Sequence, residues 1–124
     1  MKGLRTDIDL SPLQGRRITM LRMSKHSLHY LFDDPSQGEA KIWIEIEGEI
    51  IFTGADGVAT NIDDFRSNGA LLALPLGLDI GSASRSSDGG LLLKMSTGIS
   101  LQVVVHSSMY ESIVLHIGGD NIVG

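Results

Sequence analysis

The chain has 124 residues, no cysteine and a formal net charge of −5. This length suffices for one domain, so we expect residues 1–124 to form a single domain, and the lack of cysteine excludes a disulfide framework and a thiolate metal site. The first residues lack the apolar core of a secretory signal and the apolar runs are too short for a membrane span, so we expect a cytoplasmic protein with no membrane contact.

Acidic side chains are concentrated in one segment of the sequence. Residues 33–64 carry nine acidic side chains against one lysine, whereas residues 1–25 carry six basic side chains against two acids. An acidic surface repels nucleic acid and attracts basic partners, although such a segment is often only a solvated face. We therefore expect no direct binding of nucleic acid.

Strand patterns dominate the first half of the chain. Alternation of apolar and polar residues predicts four strands, at 17–23, 28–33, 40–47 and 49–53. The stretch 24–27 predicts a hairpin loop between the first two strands, and Gly48 predicts a turn or bulge between the last two. In the third strand Ile42, Ile44 and Ile46 share one face, which we expect to be buried.

The same order of elements returns in the second half with an offset of about 62 residues. The predicted strands are at 79–86, 91–95, 99–106 and 110–117. We therefore predict two pseudo-repeats, at about 10–60 and 72–124. The connector 61–75 could hold one short helix, with Asp63 or Asp64 as its cap or with Ser67 at its start, and Pro75 would end it.

Each predicted half has four strands with one apolar face, and such a unit must bury that face. We expect the two halves to pack on each other. The prediction is an all-β, antiparallel two-layer sandwich or half-barrel of about eight strands, with at most one short helix.

The sequence contains no motif that points to catalysis, nucleotide binding or calcium binding. His26 and His29 are three residues apart, so on a strand they point to opposite faces. His106 and His116 fall on the outward phase of the last two long strands, but Glu111, which could complete a zinc site, falls on the inward phase. We interpret the histidines as surface residues and predict no catalytic residue, no metal and no cofactor.

The outward side of the third strand differs between the repeats. The first repeat has Trp43, Glu45 and Glu47 there, and the second has Ser100, Gln102 and Val104. Trp is enriched at binding hot spots, and acids around it would select a basic partner. Two interpretations stay open: a binding surface, or a Trp packed under a cover such as residues 70–76. With the acids that follow, the candidate partner-binding residues are Trp43, Glu45, Glu47, Glu49, Asp56, Asp63 and Asp64.

The sequence resembles a bacterial family of small two-repeat β proteins. The pattern is carried by Leu76, Gly77 and Ile80 and by the runs 88–91, 98–101 and 110–111. Proteins of this kind resemble the immunity proteins encoded beside contact-dependent or polymorphic toxins. The resemblance implies a non-enzymatic inhibitor of one cognate toxin domain, often a nuclease. The alternative is a non-catalytic β-sandwich accessory or ligand-binding protein.

Overall fold

The computed structural model describes residues 4, 8–25, 27–33, 42–104, 113–117 and 120–123, the last of these ranges for its backbone alone. These residues form ten strands and one short α-helix, α1 (Gly69–Ala73), which follows a 3₁₀ turn (Arg66–Asn68). The strands are β1 (Ile18–Met23), β2 (Leu28–Phe32), β3 (Ile42–Ile46), β4 (Glu49–Thr53), β5 (Ala59–Ile62), β6 (Ile80–Arg85), β7 (Leu91–Met95), β8 (Ser100–Val104), β9 (Ile113–Ile117) and β10 (Asp120–Val123). The predicted all-β architecture is confirmed, and β5 and β10 are additional to the eight predicted strands.

The strands form two five-stranded antiparallel sheets. The first sheet has the order β1-β2-β3-β9-β10, and the second has the order β5-β4-β8-β7-β6. Each sheet therefore contains three strands of one repeat and two strands of the other. The expectation that each half would form its own layer is wrong, because the last two strands of each repeat belong to the opposite sheet.

The exchange of strands begins at the connection between β3 and β4. Ile46 at the end of β3 and Ile50 in β4 are both fully buried, while the exposed Glu47 and the partly buried Gly48 link two strands that belong to different sheets. Both sheets turn an apolar face inward, so a strand has the same alternation of residues in either sheet. The sequence pattern therefore predicted the buried face of β4 but not the sheet that contains it.

The two repeats meet at a set of reciprocal backbone hydrogen bonds. The N–H of Gly15 donates to the carbonyl of Ile80, and the N–H of Gly77 donates to the carbonyl of Ile18, each at 2.8 Å. Both glycines have positive φ angles, of 79° and 81°, which an L side chain would strain. An antiparallel bridge between Arg17 and Asp79 lies between these bonds. The bonds therefore relate β1 and β6 by an approximate two-fold axis.

The core lies between the two sheets and consists of alternate residues of the strands. Side chains predicted to be buried are 0–1 % exposed: Ile44, Ile46, Leu93, Leu101, Val103 and Leu115. The predicted phase of these strands is therefore confirmed. The side chain of Tyr30 is also fully buried, and its hydroxyl donates to the carbonyl of Leu72 in α1 at 2.5 Å. Desolvation of this hydroxyl raises the pKa of Tyr30.

The turn that leads into α1 is stabilised by Asp64. Its Oδ1 accepts a hydrogen bond from the backbone N–H of Ser67 at 3.3 Å, and its carbonyl accepts one from Nδ2 of Asn68 at 2.9 Å. The bond from Ser67, with a smaller contribution from the charge of Lys25, holds the pKa of Asp64 below its ordinary value of 3.8. The predicted short helix is confirmed, but its N-cap is Asn68, and Asp64 supplies acceptors to the 3₁₀ turn that precedes the helix.

Truncation of Leu101 to Ala should destabilise the protein strongly. The side chain is 0 % exposed between the sheets, so Leu101→Ala leaves a cavity and should lower the free energy of unfolding by about 2–5 kcal/mol. The adjacent Gln102 points outward, and Gln102→Ala should change the free energy of unfolding by no more than about 0.5 kcal/mol. Urea denaturation of both variants measures this, and equal effects would contradict the assigned core.

The contribution of Asp64 to stability should depend on pH. Because its pKa in the folded state lies below the ordinary value, the ionised carboxylate stabilises the fold above about pH 4, and this contribution is lost as the pH falls through the folded-state pKa. We expect Asp64→Ala to be less stable than the parent at neutral pH and this difference to shrink in acid. Urea denaturation at several pH values measures the difference, with Asp63→Ala as the control. A difference that is independent of pH would refute the assignment.

Candidate functional site

The outer face of the first sheet carries an apolar and aromatic row that crosses four strands. Met20 of β1, Leu31 of β2, Trp43 of β3 and His116 of β9 lie next to one another in register. A second row beside it consists of Arg22, His29, Glu45 and Val114. We call these eight residues the Trp43 face. Its centre is β3, which is the middle strand of the sheet.

Trp43 stands at the centre of this face because β3 alternates strictly. Ile42, Ile44 and Ile46 point inward and are buried, so Trp43 and Glu45 point outward and are partly buried. Met20, at the end of the apolar row, is 47 % exposed, which is high for a large apolar side chain on a sheet. The Trp43 face is therefore an apolar strip with charged groups along one side.

The indole of Trp43 lies between two imidazoles. The ring of His116 stacks on it with a centroid distance of 5.0 Å and an angle of 3° between the planes. The ring of His29 lies on a diagonal position with a centroid distance of 5.9 Å and an angle of 51°. Cross-strand aromatic contacts of this kind stabilise a sheet and restrict the rotation of the rings. The orientation of Trp43 is therefore set before any partner binds.

Glu45 lies beside this stack and contacts one of its rings. Its Oε2 is 3.4 Å from Nε2 of His29, and the two side chains are 26 % and 34 % exposed. A pair with this exposure adds little to stability, because water screens its attraction. The contact does hold His29 next to Trp43, and it leaves a carboxylate at the edge of the apolar strip.

The helix does not cover Trp43. The hydroxyl of Tyr30 bonds to the carbonyl of Leu72, and both residues are fully buried on the inner side of the first sheet. Leu74 and Leu76, which follow α1, are 52 % and 39 % exposed. The interpretation that residues 70–76 form a lid over Trp43 is therefore wrong. Within the described residues, the ring contacts of Trp43 are those with His29 and His116.

Most of the predicted acidic residues lie at one end of the sandwich. Glu47 is exposed in the link between β3 and β4, and Glu49 begins β4. Ile50 pairs with Ile62 at the end of β5, so Asp63 and Asp64 emerge at the same end. Glu45 is one residue before the end of β3. The structure therefore brings together five of the six predicted acids.

These acids do not share a single face. Glu49 is on the outer side of the second sheet, where its Oε2 accepts a hydrogen bond from Nδ2 of Asn61 at 3.1 Å, and it therefore lies across the sandwich from Trp43 and Glu45. Asp56 is exposed in the turn between β4 and β5, beyond the far end of β4. Glu49 lies at the other end of β4, about 13 Å away along the strand. One partner could contact the whole predicted set only by surrounding the acidic end of the sandwich and also extending along β4 to its opposite end.

The acidic end also carries positive charges. A cleft of about 330 Å³ is lined by Lys25, Asp64, Arg66 and Ser67. There the carboxylate of Asp64 accepts the hydrogen bond from Ser67 and interacts with the charge of Lys25. Asp64 therefore belongs to the turn that leads into α1, whereas Glu45 and Glu47 are the acids that lie on or next to the Trp43 face.

The equivalent face of the second sheet serves as an internal comparison. The repeat places Ser100 at the position of Trp43, between Lys94 of β7 and Thr53 of β4. Gln102 takes the position of Glu45, next to Ile51 and Leu92. The outward side chains of this sheet include no aromatic ring in the described residues. The same core therefore supports two different outer faces.

Two histidines have a role that the sequence does not predict. His29 and His116 are predicted to be ordinary surface residues, whereas both contact Trp43. His116 was placed on the outward phase, but its pairing with β3 was not predicted, and that pairing creates the stack. His26, His106 and Glu111 lie outside the described residues. Within the described part of the chain, no group of three or more His, Asp or Glu is arranged to hold a metal ion.

Comparisons with known proteins give no family for this chain. No family model matches it, and neither a curated protein nor a solved structure matches it. None of the helices in the described ranges has the length and apolar character needed to span a bilayer. The resemblance to immunity proteins therefore stays a prediction, and the functional argument depends on the geometry of the Trp43 face.

Proposed function

We propose that this chain is an immunity protein that binds and neutralises one cognate toxin domain, and that the Trp43 face is its contact surface. The observation that carries the proposal is the partly exposed indole of Trp43 at the centre of a sheet, held flat against His116. Trp is the residue type most enriched among those that dominate binding energy. The proposal requires no catalytic residue, cofactor or metal.

The rigidity of this surface supports protein binding. Association costs free energy for each side chain that becomes ordered in the interface. The contacts of Trp43 with His29 and His116 restrict the indole in advance, and paired strands hold the backbone on both sides. A preorganised anchor of this kind therefore retains more of its burial energy for the partner.

The charges beside the anchor support a basic partner. Glu45 is on the face, Glu47 is exposed at its end, and the chain as a whole has a net charge of −5. Nuclease domains bind phosphates with Lys and Arg, and these groups make their substrate grooves positive. Acidic groups at the rim would accelerate association with such a groove and would make the rate sensitive to salt. Arg22 is also on this face, and we expect the partner to have a negatively charged group opposite it.

The direct test is co-expression with the polypeptide encoded immediately upstream, followed by co-purification. We expect a stable complex in which the activity of that polypeptide is blocked. Failure of the two chains to co-purify, together with recovery of a stable housekeeping complex from lysate, would refute the immunity function and favour the accessory role.

Substitutions at the Trp43 face should weaken this complex without unfolding the protein. We expect Trp43→Ala to cost at least about 2 kcal/mol of binding free energy, because it removes the anchor. The double variant Glu45→Lys with Glu47→Lys should slow association and weaken its salt dependence, because it reverses two charges near the rim. Affinity and association rate at low and high salt measure both effects.

The repeat supplies the control for these variants. Gln102 occupies the position of Glu45 on the opposite sheet, so Gln102→Lys places a lysine at the equivalent position of an equivalent strand. This variant should bind like the parent. If it weakened binding as much as the variants at the Trp43 face, or if those variants bound normally, the contact surface would have to lie elsewhere.

A further inference from the structure

The edge strand β5 is open to pairing. It pairs with β4 on one side and ends the second sheet, and no strand lies on its other side in the described part of the chain. Its register runs without interruption from the pair of Ile50 with Ile62 to the pair of Thr53 with Ala59. It therefore presents a regular extended backbone at its outer edge.

The backbone groups that point away from the sheet can be identified. The N–H of Gly54 donates to the carbonyl of Val58 at 3.1 Å, so the carbonyl of Val58 points toward the β4 side. In an antiparallel pair such residues alternate with residues whose groups point outward. The N–H and carbonyl groups of Ala59 and Asn61 therefore point away from β4, at the spacing that an added strand would match.

Two other edge strands, β1 and β6, are protected in ways that β5 is not. Both β1 and β6 have an irregular register near their start, and they are bridged through Arg17 and Asp79. They also carry Arg22 and Arg85. Irregular pairing and charged side chains are common means of preventing strands from pairing at an edge. The sequence of β5 is ATNI, with no charge and no proline.

An apolar cleft lies at the start of β5, on its inner side, where Thr60 contributes to its lining. It has a volume of about 440 Å³, and its apolar lining includes Phe52, Val58, Leu71, Leu74 and Ile99. Val58 and Leu74 are 62 % and 52 % exposed, so apolar surface remains uncovered there. A strand added to β5 would place every second side chain on this inner side, and those opposite Val58 and Thr60 would lie beside the cleft. The edge and the cleft therefore select an extended segment with apolar residues at alternate positions.

The charges at the ends of β5 indicate which segment fits. Asp56 lies before the strand and Asp63 directly after it, and both are exposed. A second copy paired antiparallel through β5 would bring Asp56 of one molecule toward Asp63 of the other, which repulsion disfavours. A segment with Lys or Arg at both ends would instead be attracted.

We propose that β5 is a docking edge for an extended segment of another protein, with apolar residues at alternate positions and basic residues at both ends. This surface is separate from the Trp43 face, and the inference does not depend on the proposed immunity function. The backbone of Ala59 and Asn61 provides the hydrogen bonds, the cleft takes the apolar side chains, and Asp56 and Asp63 attract the basic ends.

The test uses the full chain and a synthetic peptide, Lys-Thr-Val-Thr-Val-Thr-Lys, with blocked ends. If the valines enter the cleft, the threonines lie opposite Ala59 and Asn61 and exchange hydrogen bonds with them. We expect the amide signals of Ala59 and Asn61 to shift in NMR spectra on addition of the peptide, and their hydrogen exchange to slow. Absence of these changes at saturating peptide would overturn the proposal.

Two N-methylated peptides provide matched controls. Methylation of the threonine nitrogens removes the donors that face β5 and should weaken binding about tenfold or more, whereas methylation of the valine nitrogens should have much less effect. Equal effects of the two methylation patterns would contradict strand addition. This comparison leaves the protein unchanged, so it is independent of any folding defect.

Variants of the protein separate this edge from other surfaces. Ala59→Pro removes an outward N–H at an edge position and should weaken peptide binding about tenfold while the circular dichroism spectrum is retained. Trp43→Ala should leave peptide binding unchanged, so failure here and failure of the proposed function are distinguishable. If Ala59 and Asn61 became protected with rising protein concentration and without peptide, the edge would be occupied by a second copy and the proposal would be wrong.

Discussion

Each sheet of this protein depends on strands from both repeats. β3 of the first repeat pairs with β9 of the second, and β8 of the second pairs with β4 of the first. Without these two pairings, each repeat would form a separate three-stranded unit and a separate two-stranded unit. Each unit would have open edges and an apolar face exposed to water. The free energy of burying those faces is therefore available only when both repeats are assembled.

The candidate binding face follows from the same exchange of strands. Trp43 belongs to the first repeat and His116 to the second, and they stack because β3 and β9 are neighbours. The equivalent junction in the second sheet, between β8 and β4, joins Ser100 to Thr53. The two junctions have the same backbone arrangement and different side chains. One of them could therefore have acquired an aromatic anchor while the core of the sandwich stayed intact.

The sequence predicted the parts of the fold that depend on alternation along one strand. Ile44 and Leu101 were assigned to the core, and Trp43 and Glu45 to the outer side, because a strand has a period of two residues. Pairing between strands could not be predicted in this way, since the inner faces of the two sheets have the same pattern. The separation of Glu49 from Trp43 and the stacking of His116 both follow from pairing, and both were therefore missed.

Short strands with few buried side chains are a second feature that alternation along the sequence does not predict. β5 contains one buried side chain, Ile62, and three polar or small residues, so its pattern resembles that of a loop. Its assignment as a strand depends on its pairing with β4, which supplies the backbone hydrogen bonds that the local sequence does not specify. The strand conformation of β5, the proposed docking edge, is therefore determined by its pairing with β4 and not by its own sequence.

The exchange of strands also has a consequence for biosynthesis. β4 leaves the ribosome well before β8, its partner in the second sheet, and β3 leaves it well before β9. At an elongation rate of about 5–20 residues per second, the first half of the nascent chain waits for several seconds with no complete sheet available to it. During translation its isoleucine-rich strands are therefore candidates for chaperone binding or for premature association. The native sandwich can close only after β9 and β10 have been synthesised.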